Sequence, residues 1–459
     1  MEENKIINEI ANNDGEMKQS SPVPDGESHT SHHHHEGSEH HHSSSSHHHS
    51  SHSHYSSSSH HHSTSSHHKR HKRHKHHSSR RKAPKMVPLW LLLLCLITAV
   101  AIFAASYVSS KWYNTSDGEQ QLSAPEMVLN VTVNNGGGVL VCDAVQQYLA
   151  VDLLNPQNSK ITPNTFNSAK EKIDAEVPVS LKLSVFGGSA SHYKIELADN
   201  ANFKEAKTEI IEGSQTVYEF KHLFVNSDYY FRVTAYTTSG EKVSTGYFKT
   251  ANTPRILTID GIANVRDIGN WRTDSGKRIR QGLLYRGTEM DGAVETNYHT
   301  TNEGMMDMLT NLGIKTDMDL RGKTDTTKDA LGSRVNHKYY NMVMYGEIFT
   351  ESGKEVTRAV FTELANADNY PIYLHCTYGR DRTGTVCYLL EAILGVSQGD
   401  CLKEYGLSNT APQEILSLQN LLISEFPGNS LKEKAENYLI SCGINEYQIE
   451  SIRKIFLED

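Results

Sequence analysis

The run 371–394, PIYLHCTYGRDRTGTVCYLLEAIL, leaves a chain few choices of fold. Its first four residues form a short apolar strand, and the loop His375-Cys376-Thr377-Tyr378-Gly379-Arg380-Asp381-Arg382-Thr383-Gly384 follows at once. The next ten residues, 385–394, are apolar almost all round, so a helix there must be covered on every side. A short apolar strand, a glycine-containing loop and a central helix make one unit of a layered α/β domain. Residues 314–320, IKTDMDL, read as a second buried strand of the same sheet. Such a turn presents backbone N–H groups and the positive end of a helix dipole to a bound phosphate.

The residue types in the loop fit attack on phosphorus. Inward-pointing amides and a helix N-terminus bring a cysteine thiol, normally near pKa 8.5, down by several units. Cys376 is therefore the expected nucleophile. Arg382, six positions on, offers a planar fork for two phosphoryl oxygens and for transition-state charge. The phosphate is expected to sit on Thr377, Tyr378, Gly379 and Arg380, with Gly379 letting the backbone curl. The Thr383 hydroxyl could donate to the Cys376 sulfur as it leaves. His375 is expected to orient the loop through a ring hydrogen bond. No metal or organic cofactor is needed for this chemistry.

The pattern H-C-x5-R-[S/T] is that of the cysteine phosphatase superfamily. In its fuller form, H-C-x-x-G-[K/R]-D-R-T-G, the loop resembles the bacterial tyrosine phosphatase family that includes a secreted mycobacterial enzyme active on proteins and phosphoinositides. Asn264-Val265-Arg266-Asp267-Ile268-Gly269 resembles that family's N-F-R-D-[L/I]-G, Leu284-Tyr285-Arg286-Gly287 its [L/V]-[Y/F]-R-S, and Asp319-Leu320-Arg321 its D-L-R. Glu404-Tyr405-Gly406-Leu407-Ser408 and Tyr438-Leu439 with Gly443-Ile444 resemble its C-terminal helices more loosely. The resemblance implies supporting roles for Arg266, Asp267 and Arg321, and a general acid inside the loop, Asp381. No W-P-D sequence is present, and Asp319, Glu347 and Asp368 are the alternatives for the acid. A structural role for Asp381, paired to Arg266 or Arg321, is the competing expectation. Two departures are Gly287 where the family carries Ser and Arg380 where it carries Lys. A redox use of Cys376 would need a resolving thiol, for which Cys387 on the following helix is the candidate.

Composition divides the chain sharply before this region. Residues 1–68 hold two lysines and nine acids, whereas 69–85 hold nine Lys or Arg and no acid. Twenty-two of the 27 histidines lie between His29 and His77 among serine runs, so 1–85 is expected to be disordered. Imidazole clusters there could bind metal ions. The segment 87–108, VPLWLLLLCLITAVAIFAASYV, carries no charge. At about 1.5 Å rise per residue it spans about 33 Å, enough for a transmembrane helix. The basic block before it places the N-terminus inside and 110–459 outside the cell membrane. The remaining sequence is acidic and shows no basic face of the kind nucleic acid requires.

Between the membrane segment and the phosphatase-like region, 110–172 reads as a spacer. It contains a candidate β-hairpin at 127–142, two β-branched runs around Asn-Asn-Gly-Gly-Gly. Residues 175–252 show short alternating segments at 177–185, 192–197, 216–220, 228–235 and 244–250, as in an antiparallel sandwich. Leu223, Tyr229, Phe231 and Val233 resemble the tyrosine-corner region of fibronectin type III domains, although the tryptophan usual on an early strand is missing.

The expected organisation is thus a tail, a membrane helix, a spacer, an all-β fibronectin type III-like sandwich and an α/β phosphatase domain over 254–459. Its expected substrates are phosphorylated proteins or phosphoinositides. The competing readings are a catalytically silent surface module that binds phosphorylated ligands and a metal-handling membrane protein led by the tail.

Overall fold

Alternating side chains build the first folded region. In the computed structural model, the described residues are Thr98 and 126–459 except 135–137, 139, 294–296 and 325–326. The predicted tail, the membrane segment apart from Thr98, and the first part of the spacer lie outside them. Among the described residues no helix is long and apolar enough to cross a membrane. Seven strands form two antiparallel sheets: β1 (Val128–Val133), β2 (Val179–Phe186) and β5 (Val217–Phe220) in the order β1-β2-β5, and β3 (Ala190–Ala198), β4 (Lys207–Glu212), β6 (Asp228–Thr237) and β7 (Gly240–Lys249) in the order β4-β3-β6-β7. Tyr229, Phe231, Val233 and Ala235, every second residue of β6, meet Val179, Leu181 and Leu183 of β2 in one core. The Tyr229 hydroxyl accepts the Phe224 N–H at 2.8 Å, which pins the corner leading into β6.

Among the described residues of 127–142 the expected hairpin is not formed; its turn residues 135–137 and 139 lie outside them. β1 pairs instead with β2 in antiparallel register, Leu129 opposite Val185 and Val131 opposite Leu183. Sheet pairing decided this, because β1 places its alternate residues Leu129, Val131 and Val133 against the sandwich core, a partner some fifty residues away that local turn chemistry does not reveal. β1 also starts the sandwich well before the expected boundary at 175.

The second region is a six-stranded sheet in the order β12-β11-β13-β10-β9-β8. Its strands are β8 (Arg255–Ile256), β9 (Arg266–Asp267), β10 (Leu284–Gly287), β11 (Thr316–Asp319), β12 (Asn336–Tyr339) and β13 (Ile372–His375). β12, β11, β13 and β10 run parallel, and β9 and β8 complete the edge antiparallel. Every residue of β10, β11 and β13 is buried, as in a sheet covered on both faces. Ile372 and Leu374 join the larger helical core, whereas Tyr373 joins a smaller layer with Leu257, Tyr285 and Met308 on the opposite face.

Among residues 126–459 the α-helices are α1 (Asp143–Leu149), α2 (Asn302–Met306), α3 (Glu351–Leu364), α4 (Asp381–Leu394), α5 (Gln398–Gly406), α6 (Gln413–Glu425), α7 (Leu431–Ser441) and α8 (Glu446–Phe456). α4 is the central one. It packs against α5, α6, α7 and α8, and all its residues from Thr383 to Leu394 are buried.

The two regions are joined by more than a linker. Arg255 is buried and its guanidinium donates to the Leu223 carbonyl at 2.9 Å, the His222 carbonyl at 2.7 Å and Asp267 at 2.8 Å. Gln281 exchanges two hydrogen bonds of 2.9 Å with the backbone of Val225. The expected spacer is also corrected here. Between β1 and β2 the chain leaves the sandwich, and its neck is closed by the Val177 N–H donating to Leu140 O at 3.1 Å. Val141, Ala144, Val145, Tyr148 and Leu153 then enter the core of the phosphatase-like region. Tyr148 is fully buried beside Gly406, where a Cβ would stand 1.8 Å from its hydroxyl, so α5 needs glycine at that point. Val141, Ala144, Val145 and Tyr148 carry the i, i+3, i+4, i+7 spacing of one helix face, a signal that the hairpin reading of 127–142 cut across.

Candidate active site

The loop begins where three parallel strands end. Gly287 of β10 and Asp319 of β11 both stand opposite His375 of β13. A loop leaving the carboxyl end of such a sheet and entering a helix lies where open α/β sheets bind ligands. Cys376 is buried at 4% exposure. Gly379 has φ +64°, and a Cβ there would lie 2.2 Å from the Gly287 carbonyl oxygen, so the tight turn over β10 depends on glycine. Tyr378 and Arg380 are exposed, and the Arg380 guanidinium lies 5.4 Å from the centre of the Tyr378 ring.

Under the loop sits a buried network of charge. Arg286, with no exposed surface, donates to the carbonyls of Gly379 at 2.6 Å and Arg380 at 3.4 Å, and to Glu404 at 2.6 Å. Arg266 holds the other oxygen of Glu404 at 2.7 Å and also reaches Asn264 and Ser408. Asn264 in turn donates to the carbonyls of Tyr378 at 3.1 Å and Gly379 at 3.2 Å. Burial alone would raise the Glu404 pKa, but the two arginines hold it below the usual range, so it stays ionised. Glu391 nearby has neither oxygen hydrogen-bonded, and burial together with the charge of Glu404 pushes its pKa well up, so it is neutral. Two buried guanidiniums thus face one carboxylate, which leaves net positive charge beneath the loop.

His375 faces the smaller layer. Its Nε2 lies 3.0 Å from Asp317 Oδ1, an ion-pair contact not aligned as a hydrogen bond, and its Nδ1 is 3.4 Å from the Cys376 carbonyl oxygen. The other oxygen of Asp317 is 3.0 Å from His337 Nδ1, and His337 Nε2 is 3.0 Å from Gly332 O. Burial by itself would lower the pKa of His375, but Asp317 beside it overrides this and lifts it to about 9. Burial likewise would raise Asp317, and the two imidazoles bring it down to about 2. The expected ring hydrogen bond of His375 is therefore supplemented by a buried ion pair.

The acid expected within the loop, Asp381, begins α4 and is half-buried. The Tyr345 hydroxyl donates to its Oδ1 and lies 2.6 Å from the Tyr405 hydroxyl. Neither expected arginine partner reaches Asp381. Arg266 is taken by Glu404, and Arg321 is held by Asp319, Asp291 at 3.0 Å and Glu289. Among the alternatives, Asp319 is tied to Arg321 at 2.7 Å, and Glu347 is exposed. Asp368 is exposed ahead of β13, at the strand end away from the loop. Asp267 is structural, accepting from Arg255, Gly269 N at 2.8 Å and Gly282 N at 2.6 Å.

Two expectations are corrected. Thr383 Oγ1 is buried without a hydrogen-bond partner, so its bond to the Cys376 sulfur is not formed. Burial pushes the Cys387 thiol up to about 12, which removes the resolving thiolate that a redox reading needs. Sequence reasoning missed Tyr345, Asp317 and His337, and it gave Glu404 no role at the loop. A buried strand with two acids, Thr316-Asp317-Met318-Asp319, was the signal for Asp317, since a buried carboxylate requires a partner.

Residues 257–458 match the tyrosine phosphatase family. A Cupriavidus necator protein, named provisionally as a tyrosine-protein phosphatase, is 29% identical over 180 residues, covering 33% of this chain and 63% of that protein. The chain thus spans just under two thirds of that curated relative. Among solved structures, the core catalytic domain of the PP-IP phosphatase SIW14 from S. cerevisiae, crystallised with citrate, is similar at a TM-score of 0.25 and 20% identity, covering 35% of this chain and 93% of that chain. A β-glucuronidase of Parabacteroides merdae is similar at a TM-score of 0.13 and 13% identity, covering 43% of this chain and 26% of its own. At these scores neither overlap bears on function. Residues 257–458 are thus similar to the tyrosine phosphatase family, and the cysteine loop of a phosphatase lies within that stretch.

Proposed function

We propose that the protein is a membrane-anchored phosphatase that hydrolyses phosphate monoesters, phosphotyrosine first among them, through a phosphocysteine. One observation carries the reading. Arg255, Arg266, Arg286 and Arg321 all have carboxylate partners, whereas Arg382 is half-buried and has no ion-pair or hydrogen-bond partner among the described residues. A partly desolvated guanidinium is costly unless an anion completes it. Its place in the loop, six residues after a buried cysteine, suits a phosphoryl group.

In this reading the Cys376 sulfur attacks phosphorus and the bond to the ester oxygen breaks. Asp381, aimed by Tyr345, supplies the proton to the leaving oxygen. Water then attacks the phosphocysteine, gives its proton to Asp381, and releases phosphate and thiolate. The positive charge of Arg286 and Arg266 beneath the loop favours the anionic intermediates. Phosphoserine, phosphothreonine and phosphoinositides fit the same loop chemistry.

The uncharged segment 87–108 and the basic block before it support an anchor with the catalytic region outside the cell. The strand order and the Tyr229 corner support a fibronectin type III-like sandwich. Hydrolysis of p-nitrophenyl phosphate by the full chain in EDTA is the test, and Cys376→Ser should reduce it to background. Turnover that survives the substitution would refute the mechanism.

A further inference from the structure

The excursion from the sandwich does more than dock. Its residues Asn164, Glu171, Lys172 and Asp174 face Tyr378 and Arg380 of the catalytic loop across a cleft of 330 Å³. That size falls at the lower end of the roughly 300–1,000 Å³ usual for ligand sites. The wall is fixed in place: Asn264 N donates to Asp174 at 3.3 Å, Asn164 N donates to the Asn409 side chain at 3.3 Å, and Tyr148 anchors the excursion in the core.

We propose that this cleft holds the polypeptide flanking a phosphorylated residue, so that the excursion between β1 and β2 sets the specificity of the catalytic loop. The proposal rests on the phosphatase reading above and narrows it. Charge decides the class of substrate. Lys172 and Arg380 have no ion-pair partner among the described residues, but the carboxylates of Glu171 and Asp174 share the cleft with them. A ring carrying several phosphates would press its second phosphate against those carboxylates, at a cost in repulsion. A polypeptide carries one phosphate into the loop and then presents alternating N–H and C=O groups. The amides of Asn164 and Asn409 suit such groups, and side chains of either sign find a complement.

The test compares ligands on the full chain carrying Cys376→Ser, so that binding is measured without turnover. Free phosphotyrosine probes the loop alone, a phosphotyrosine peptide probes the loop and cleft, and inositol hexakisphosphate probes the polyphosphate alternative. Lys172→Trp, at an exposed position, should fill the cleft. It should weaken the peptide about tenfold and leave free phosphotyrosine within about twofold. The double substitution Glu171→Ala with Lys172→Ala should weaken the peptide in the same direction by a smaller factor. Equal losses for both phosphotyrosine ligands, no loss for the peptide, or tighter binding of the inositol phosphate than of the peptide would overturn the proposal. Failure of wild-type p-nitrophenyl phosphate turnover would instead strike the phosphatase reading itself.

Discussion

The sandwich and the phosphatase domain bury polar groups in opposite ways. In the sandwich, Glu196 pairs with Arg232 at 2.6 Å and Lys194 at 3.1 Å on the outer face of the sheet, where the two cations are 37% and 35% exposed. Besides Glu196, the buried polar residues of the sandwich strands and their ends are the uncharged Thr234 and Thr250. In the phosphatase domain, Arg286, Arg266, Glu404, Glu391, Asp317 and His375 all lie within the core, under or beside the loop. A core meant only to be stable has no use for these groups, because apolar residues of the same volume would serve as well or better. Their concentration around one loop marks where shape and field outweigh stability.

The same chemical change in the two regions should break this comparison most visibly. Glu404→Gln leaves Arg266 and Arg286 buried without a counter-charge and should destabilise the protein by about 3–5 kcal/mol. Denaturant unfolding of the catalytic domain signal would measure it. A loss below about 1 kcal/mol would mean that the network contributes no more than a surface pair.

The buried pair of His375 and Asp317 predicts a pH dependence next in size. A histidine whose folded pKa lies at about 9 stabilises the fold fully below its ordinary value near 6.5, and the contribution disappears as pH rises through 9. The difference amounts to about 3 kcal/mol. Asp317, held at about 2, contributes above its ordinary value near 4 and loses that contribution only as pH falls through 2. Thermal melts from pH 6 to pH 10 should show the alkaline loss in the wild type and much less of it in Asp317→Asn. Parallel curves for the two proteins would remove the pair from the account.

Tyr345→Phe takes away the hydroxyl that bonds Asp381 and Tyr405 and leaves every residue of the loop in place. It should lower kcat by about tenfold, less than the roughly 100-fold or more expected for loss of the general acid itself, with little change in phosphate affinity. An equal rise in KM would show that Tyr345 shapes binding and leaves the proton transfer alone. At the small end, Glu196→Gln on the sandwich should cost no more than about 1 kcal/mol and leave turnover unchanged. A cost as large as that of Glu404→Gln would erase the distinction between the two regions.

Much of the chemistry was legible in sequence because it is local. Cys376, Gly379, Asp381 and Arg382 lie within seven consecutive residues, and the strand and helix around them follow from a short apolar run and an apolar block. The alternation at 228–235 marked β6 and its inward Tyr229 for the same reason. The failures were long-range. Glu404 meets Arg266 and Arg286 across separations of 138 and 118 residues, and Tyr345 meets Asp381 across 36. A carboxylate or a tyrosine in a polar stretch carries no mark of its partner until the layers pack.

What the sequence alone determined, then, is the loop, its order of residues and the layered fold that must hold it. Bond geometry and side-chain periodicity act over a few residues, so they can be read there. Only the tertiary structure decided that β1 crosses to β2, that the excursion after it docks through Tyr148, and that its far side faces Tyr378 and Arg380. Those outcomes depend on which distant surfaces exclude water together, a property of the packed layers that no local stretch of chain contains.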